Sequence, residues 1–203
     1  MPAVHRLLCF AVLAGLLLSR PGESAAADGN DAAWAVCRQG TSAVEGLRPR
    51  LPAHLLGAMA KVESGRSRPE HAAAFAWPWT VMAEGRGRYL PTKAAAVAEV
   101  KRLQRRGVSN IDVGCMQVNL HYHGHAFATI EQAFDPVHNI AYAAEFLLKL
   151  RRVEHSWWRA IGYYHSRTPK HMYRYRAKVR EAWRETRRAA HRRNHGEQVA
   201  RAE

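Results

Sequence analysis

The chain has 203 residues and a mass of 22.9 kDa, enough for one ordinary domain with tails and too little for two large ones. Hydrophobic residues at 47% and charged residues at 24% exclude wholesale disorder and a fibrous fold, and no run reaches the roughly 18 apolar residues of a membrane-spanning helix. What needs explaining is the charge, formally +14 with a sequence pI near 10.4.

In chain order, the N-terminus reads as an export signal. Arg6 precedes an apolar run from Leu7 to Leu18 (LLCFAVLAGLLL), which Arg20, Pro21 and Gly22 break. Ser24, Ala25, Ala26 and Ala27 then supply small residues for cleavage, so residues 1–27 are expected to be a signal peptide. Cys9 lies inside the apolar run without a small pair before it and does not read as a lipid-attachment site. Beyond residue 27 two cysteines remain, Cys37 and Cys115, and an exported chain holds such a pair either as a disulfide or as two buried thiols.

Asp31 to Leu47 carries apolar residues at helical spacing (Ala33, Trp34, Cys37, Val44, Leu47). Pro52 suits the first position of a second helix over Leu51 to Ser64, whose apolar face is Leu55, Leu56, Met59, Ala60 and Val62. Glu63 falls at its C-terminal end, where the negative pole of the helix dipole disfavours a carboxylate and raises its pKa. Ala76 to Leu90 mixes aromatic and β-branched residues around Glu84-Gly85-Arg86-Gly87, a hairpin pattern. Thr92 caps a helix from Lys93 to Arg106, and Val108 to Val113 reads as a third short strand. Asp135-Pro136 opens a helix to about Arg152, Ser156 caps another, and a basic helix runs from about Pro169 to His191. There is no internal repeat. The expected class is α+β, mainly α, with a hairpin or three-stranded sheet. That is the build of polysaccharide-cleaving lysozyme-like domains, which this chain resembles in having a small sheet beside its helices and which hold a substrate groove between the two.

The charge is uneven. Asp28 to Leu148 holds 13 Lys/Arg against 11 Asp/Glu, a net of +2, whereas Lys149 to Glu203 holds 16 against 5, a net of +11. In an exported chain such an excess meets cell-wall carboxylates and anionic headgroups, or is simply a solvated helix face. Nucleic acid would explain the charge alone and nothing else in the sequence.

Four blocks recur in a meaningful order. Glu63-Ser64-Gly65-Arg66 ends a helix; Gly114-Cys115-Met116-Gln117 with Asn119 follows; then come Asp135-Pro136 with Asn139-Ile140, and Ala160-Ile161-Gly162-Tyr163-Tyr164-His165-Ser166. This series, over about Pro52 to Ser166, resembles the catalytic domain of soluble lytic transglycosylases, which are related to goose-type lysozyme. Cys115 stands where that family usually has Leu, and His165 where it usually has Asn. The segment from Trp77 to Asp112 looks like the longer insertion of one subgroup, with its Trp-Pro-Trp strand.

The resemblance implies a lysozyme-like domain over residues 28–168, followed by a basic helix and tail over 169–203. It also implies cleavage of the β-1,4 bond between N-acetylmuramic acid and N-acetylglucosamine in peptidoglycan. One carboxylic acid would protonate the glycosidic oxygen and then, as carboxylate, take the proton from the muramyl C6 hydroxyl that closes a 1,6-anhydro ring. Glu63 is the candidate acid/base. By the same resemblance Ser64, Met116, Gln117, Asn119 and Tyr164 bind substrate, with Met116 equally suited to plain core packing. A neutral Asn119, where hydrolytic relatives can carry Asp, favours the non-hydrolytic route.

Asp112 is the nearest second carboxylate and reads mainly as a turn residue. If it faces the groove opposite Glu63, an inverting muramidase becomes the alternative. Trp77, Trp79 and Tyr89 either line the groove or form an aromatic core. His121, His123 and His125 would share a face on an extended segment, but nothing completes a metal set, and the implied chemistry needs no cofactor. The expected partners are peptidoglycan strands and a cell-envelope assembly such as a secretion, flagellar or pilus machine. The expected location is the periplasm of a Gram-negative bacterium. A wall-binding accessory protein is the reading from a different class.

Overall fold

The structure is a computed structural model and describes residues 22–68 and 71–202, with side chains over 32–67 and 74–195. The apolar run and basic start of the expected signal segment lie outside the described residues. Helix α1 spans Gly22–Gly46, so a cut after Ala27 would remove its first turns and keep the part that packs, namely Ala33, Trp34, Cys37 and Val44. Among the described residues no helix is long and apolar enough to cross a membrane.

Helix α2 spans Leu55–Ser64 and begins later than its apolar pattern suggests. Pro52 does not start the helix. It starts a turn in which the Leu55 amide donates to the Pro52 carbonyl at 3.2 Å, and His54 takes a left-handed conformation (φ 67°). A remote residue caps the helix instead: the Glu45 carboxylate at the end of α1 accepts from the His54 and Leu56 amides at 2.9 and 2.6 Å. A carboxylate at a helix N-terminus satisfies orphan amides and opposes the positive end of the dipole. Leu55, Leu56 and Met59 are fully buried, each worth about 1.5–3 kcal/mol of apolar burial.

The chain turns from α2 straight into strand β1 (Gly65–Arg68), which pairs antiparallel with β2 (His71–Ala76). Position 65 must be glycine for space, because a Cβ there would lie 2.2 Å from the Lys61 carbonyl oxygen. The expected hairpin follows as β3 (Thr80–Ala83) and β4 (Arg86–Tyr89). Helix α3 (Lys93–Arg105) is capped by Thr92, whose hydroxyl accepts from the Ala95 amide at 3.1 Å. Strands β5 (Ile111–Val113) and β6 (Val118–Asn119) complete an antiparallel sheet in the order β4-β3-β5-β6. It has four strands rather than three, and the β1–β2 ribbon is separate from it.

Short helices α4 (Leu120–His123) and α5 (Ile130–Ala133) lead to α6 (Pro136–Glu154), α7 (Trp157–His165) and α8 (Pro169–Ala202). Asp135 and Ser156 cap α6 and α7 through their side chains. His121 and His123 lie on α4 and His125 on a 3-10 turn, so the expected extended face does not exist. Among the described residues no three metal-ligating side chains converge.

Among the described residues the fold is mainly helical with two small antiparallel sheets. One core joins α1, α2, α6, α7 and α8 around Leu56, Met59, Met116, Ile140, Leu147 and Val179. A second joins the four-stranded sheet to α3 and α5 around Val81, Val100, Leu103, Ile111 and Phe134. Helix α8 belongs to the first core: Met172, Tyr175, Val179 and Ala182 are buried. It is further tied to α2 by the Lys61–Glu185 ion pair at 2.6 Å, and to the turn before α2 by the Trp183 indole donating to the Ala53 carbonyl at 2.9 Å.

Candidate active site

A cleft of about 690 Å³ runs between the two cores. Its helical side carries Glu63 from α2, Tyr142 and Phe146 from α6, Tyr164 and His165 from α7, and Tyr175 and Lys178 from α8. Its sheet side carries Asn110, Asp112, Gln117 and Asn119. Three of the substrate-binding candidates, Gln117, Asn119 and Tyr164, therefore meet Glu63 at one cleft.

The turn from Gly114 to Gln117 is held from behind by Asn139, which is fully buried on α6. The Asn139 amide donates to the Val113 and Ala133 carbonyls, both at 3.0 Å, and its oxygen accepts from the Met116 amide at 2.9 Å. Gly114 has φ +81° and passes so close that an added Cβ would lie 2.6 Å from that amide nitrogen. A disulfide between Cys37 and Cys115 ties the same turn to α1. The two open alternatives for these cysteines thus resolve to the bonded pair.

Ser64 and Met116 do not reach the cleft. Ser64 is fully buried, and its hydroxyl sits against the Ala60 and Cys115 carbonyls at 3.1 and 2.8 Å. It braces the end of α2 against the disulfide turn, and no group of it is free for a ligand. Met116 is also fully buried, and packs in the helical core. Its carbonyl accepts from the Tyr164 hydroxyl at 2.8 Å, so Tyr164 too spends its proton inside the protein. Gln117 takes a left-handed conformation (φ 46°) and donates to the Thr80 and Gly114 carbonyls. The Asn119 amide donates to Asp112 at 2.8 Å and to Asn110 at 2.6 Å, while its oxygen caps α4. The hydrogen-bonding groups available in the cleft are fewer than the residue types suggest.

Glu63 differs from these neighbours. Its Oε1 is buried without a hydrogen-bond partner. Burial pushes its carboxyl from 4.5 up to about 8, and the Asp112 charge across the cleft adds to the rise. Tyr175 and Lys178 oppose it: the phenol lies against the carboxyl, outside regular hydrogen-bond geometry, and the ammonium favours the anion. Desolvation, rather than the helix end, is the leading cause. At pH 7 the protonated form outweighs the ionised one by about ten to one. A general acid at neutral pH needs that state.

Asp112 does face the cleft. Burial raises its pKa, and the Asn119 amide partly offsets this. Trp77, Trp79 and Tyr89 do not line the cleft. Trp77 is fully buried beside Trp34, Trp79 packs on the sheet, and the Tyr89 hydroxyl donates to the Gly65 carbonyl at 2.6 Å. The aromatic wall comes instead from Tyr142, Phe146, Tyr164 and His123, whose rings pack on one another at 4.8–5.7 Å. Their positions on α6 (Tyr142, Phe146) show the i, i+4 spacing of one helix face, a signal that was present in the sequence.

Comparison with protein-family models, curated proteins and solved structures finds no match to this chain. The geometry of the cleft therefore carries the functional argument.

Proposed function

We propose that this protein cleaves peptidoglycan glycan strands as a lytic transglycosylase of lysozyme-like fold. The observation that carries the reading is Glu63: one carboxyl in an open cleft, buried at Oε1, unpaired there and held mainly protonated at neutral pH. The motif series in which it stands supports the assignment. The aromatic wall on the helical side of the cleft suits the apolar faces of sugar rings.

In this reading Glu63 donates its proton to the glycosidic oxygen as the bond to the muramyl C1 breaks. The leaving N-acetylglucosamine keeps that proton. The substrate's acetamido oxygen shields the cationic C1. Glu63, now a carboxylate, removes the proton from the muramyl C6 hydroxyl, and that oxygen bonds to C1. The acid is regenerated and no water is consumed. The role of Ser64 is structural, and the Tyr164 hydroxyl fixes the Met116 carbonyl, leaving its ring face to the cleft.

A second reading, a hydrolytic muramidase, is favoured by the position of Asp112 on the cleft wall facing Glu63. There a carboxylate would activate water. The products separate the two. Digestion of purified sacculi, with mass spectrometry of the released muropeptides, yields 1,6-anhydromuramyl ends for the transglycosylase. Reducing ends, heavier by one water, would establish the muramidase. No release from sacculi by folded protein would sink both. The signal-like N-terminus supports export, and periplasmic action beside an envelope assembly completes the proposal.

A further inference from the structure

His171, Arg174 and Lys178 all line the cleft, and all lie on α8 at i, i+3 and i+7. That spacing puts them in one row along the helix. All three are exposed, and among the described residues none joins an ion pair. Among the described side chains of α8 the acids are turned elsewhere, Glu181 to Arg184 and Glu185 to Lys61. Lys178 stands near enough to Glu63 to act on its charge, so the row begins beside the reacting centre and leads away along the wall. The unpaired donors comprise an ammonium, a guanidinium and an imidazole. Neutral sugar alone gives these side chains nothing to neutralise them.

We infer that His171, Arg174 and Lys178 form an anion subsite of the cleft that binds carboxylates carried by the glycan strand, making the enzyme selective for acidic over neutral saccharide. The inference rests on the glycan reading of the cleft. Two sources present the same chemistry: the lactyl carboxylate of a peptide-free muramyl residue, and the free carboxylates of a stem peptide. Arginine pairs with a carboxylate through two parallel N–H donors, while lysine acts as a point charge.

The test measures affinity, with turnover stopped by Glu63→Gln. Titration calorimetry would use three probes of equal sugar count: neutral chitohexaose, the peptide-free muroglycan hexasaccharide, and the same hexasaccharide bearing stem peptides. The protein carrying His171→Gln, Arg174→Gln and Lys178→Gln is compared with its Glu63→Gln parent. The expected result is that affinity for acidic probes falls about tenfold or more and loses its salt dependence, while chitohexaose binding is unchanged. Loss with the peptide-free probe assigns the lactyl carboxylate, and loss confined to the peptide-bearing probe assigns the stem. Equal loss for all three probes, or none for the acidic ones, would overturn the subsite and leave the glycan reading standing. A parent that binds none of the three would overturn both. Thermal melting of the triple variant separates lost binding from lost fold.

Discussion

The phenol of Tyr175 and the carboxyl of Glu63 lie against each other at the foot of the cleft, both buried and neither in a regular hydrogen bond. Burial lifts both groups above their ordinary pKa values, and the Glu63 charge further discourages ionisation of the tyrosine. For Glu63 the phenol is the main influence in the opposite direction. Tyr175→Phe therefore raises the Glu63 pKa above its value of about 8. Removing a hydroxyl that has no regular partner costs little stability. A carboxyl titration followed by ¹³C NMR checks the direction. A downward shift would contradict the arrangement.

Asp112→Asn acts with the opposite sign. Its negative charge raises the Glu63 pKa, so neutralising it lowers that pKa and moves the alkaline limb of the rate profile to lower pH. In the transglycosylase reading cleavage survives with that displaced limb. Loss of cleavage by two or more orders of magnitude would instead mark Asp112 as the base of a hydrolase. The measurement is the initial rate of sacculus clearing across pH for both proteins.

The same carboxyl sets a pH dependence of stability. Between 4.5 and about 8 the unfolded chain releases the Glu63 proton and the folded protein keeps it. Stability from this group is thus full below 4.5 and declines as pH rises through that window, at up to about 1.4 kcal/mol per pH unit. Glu63→Gln removes this slope and abolishes cleavage. Urea unfolding at several pH values would detect it, and an unchanged slope in the variant would refute the burial of an acid here.

Asn139 and Gly114 form one lock. Asn139→Ala leaves the Met116 amide and the Val113 and Ala133 carbonyls without their partner, at a cost of about 3 kcal/mol. Gly114→Ala drives a methyl into the Asn139 amide and strains a left-handed backbone, at a cost of about 2 kcal/mol or more. Because both changes break the same contact, the double variant should be less destabilised than the sum. Additive costs in denaturant would show that the two residues act separately.

Reduction of the Cys37–Cys115 bond releases a loop of 78 residues, which chain entropy values at about 4 kcal/mol. A lower melting temperature under reducing conditions, absent in the Cys37→Ala, Cys115→Ala protein, checks this.

Much of the helical frame was legible because its signals are local. Thr92, Asp135 and Ser156 each cap the helix that follows them. The start of α2 was not legible, because Glu45 caps it from another element and Pro52 imitates a helix start. The β1–β2 ribbon shows no alternation that would set it apart from a loop. In the site, Glu63 was visible from its motif, but its environment was not. Ser64 in the same block, and Met116 in the Gly114–Gln117 block, point into the core, since a contiguous block must send some side chains inward. The contribution of α8 was masked by its charge, although Met172, Tyr175, Val179 and Ala182 recur at helical spacing beneath the arginines. Total charge describes the outside of a helix, while a few apolar positions decide where the helix sits.

The placement of Tyr175 on the last helix has a consequence for the order in which the site comes into being. Glu63 is synthesised early, the tyrosine that covers it more than a hundred residues later. Without α8 docked, the carboxyl loses the cover of Tyr175 and with it part of the burial that raises its pKa. The raised pKa of Glu63 thus depends on the docking of α8, and a chain lacking that helix carries a carboxyl shifted back toward the ordinary anion.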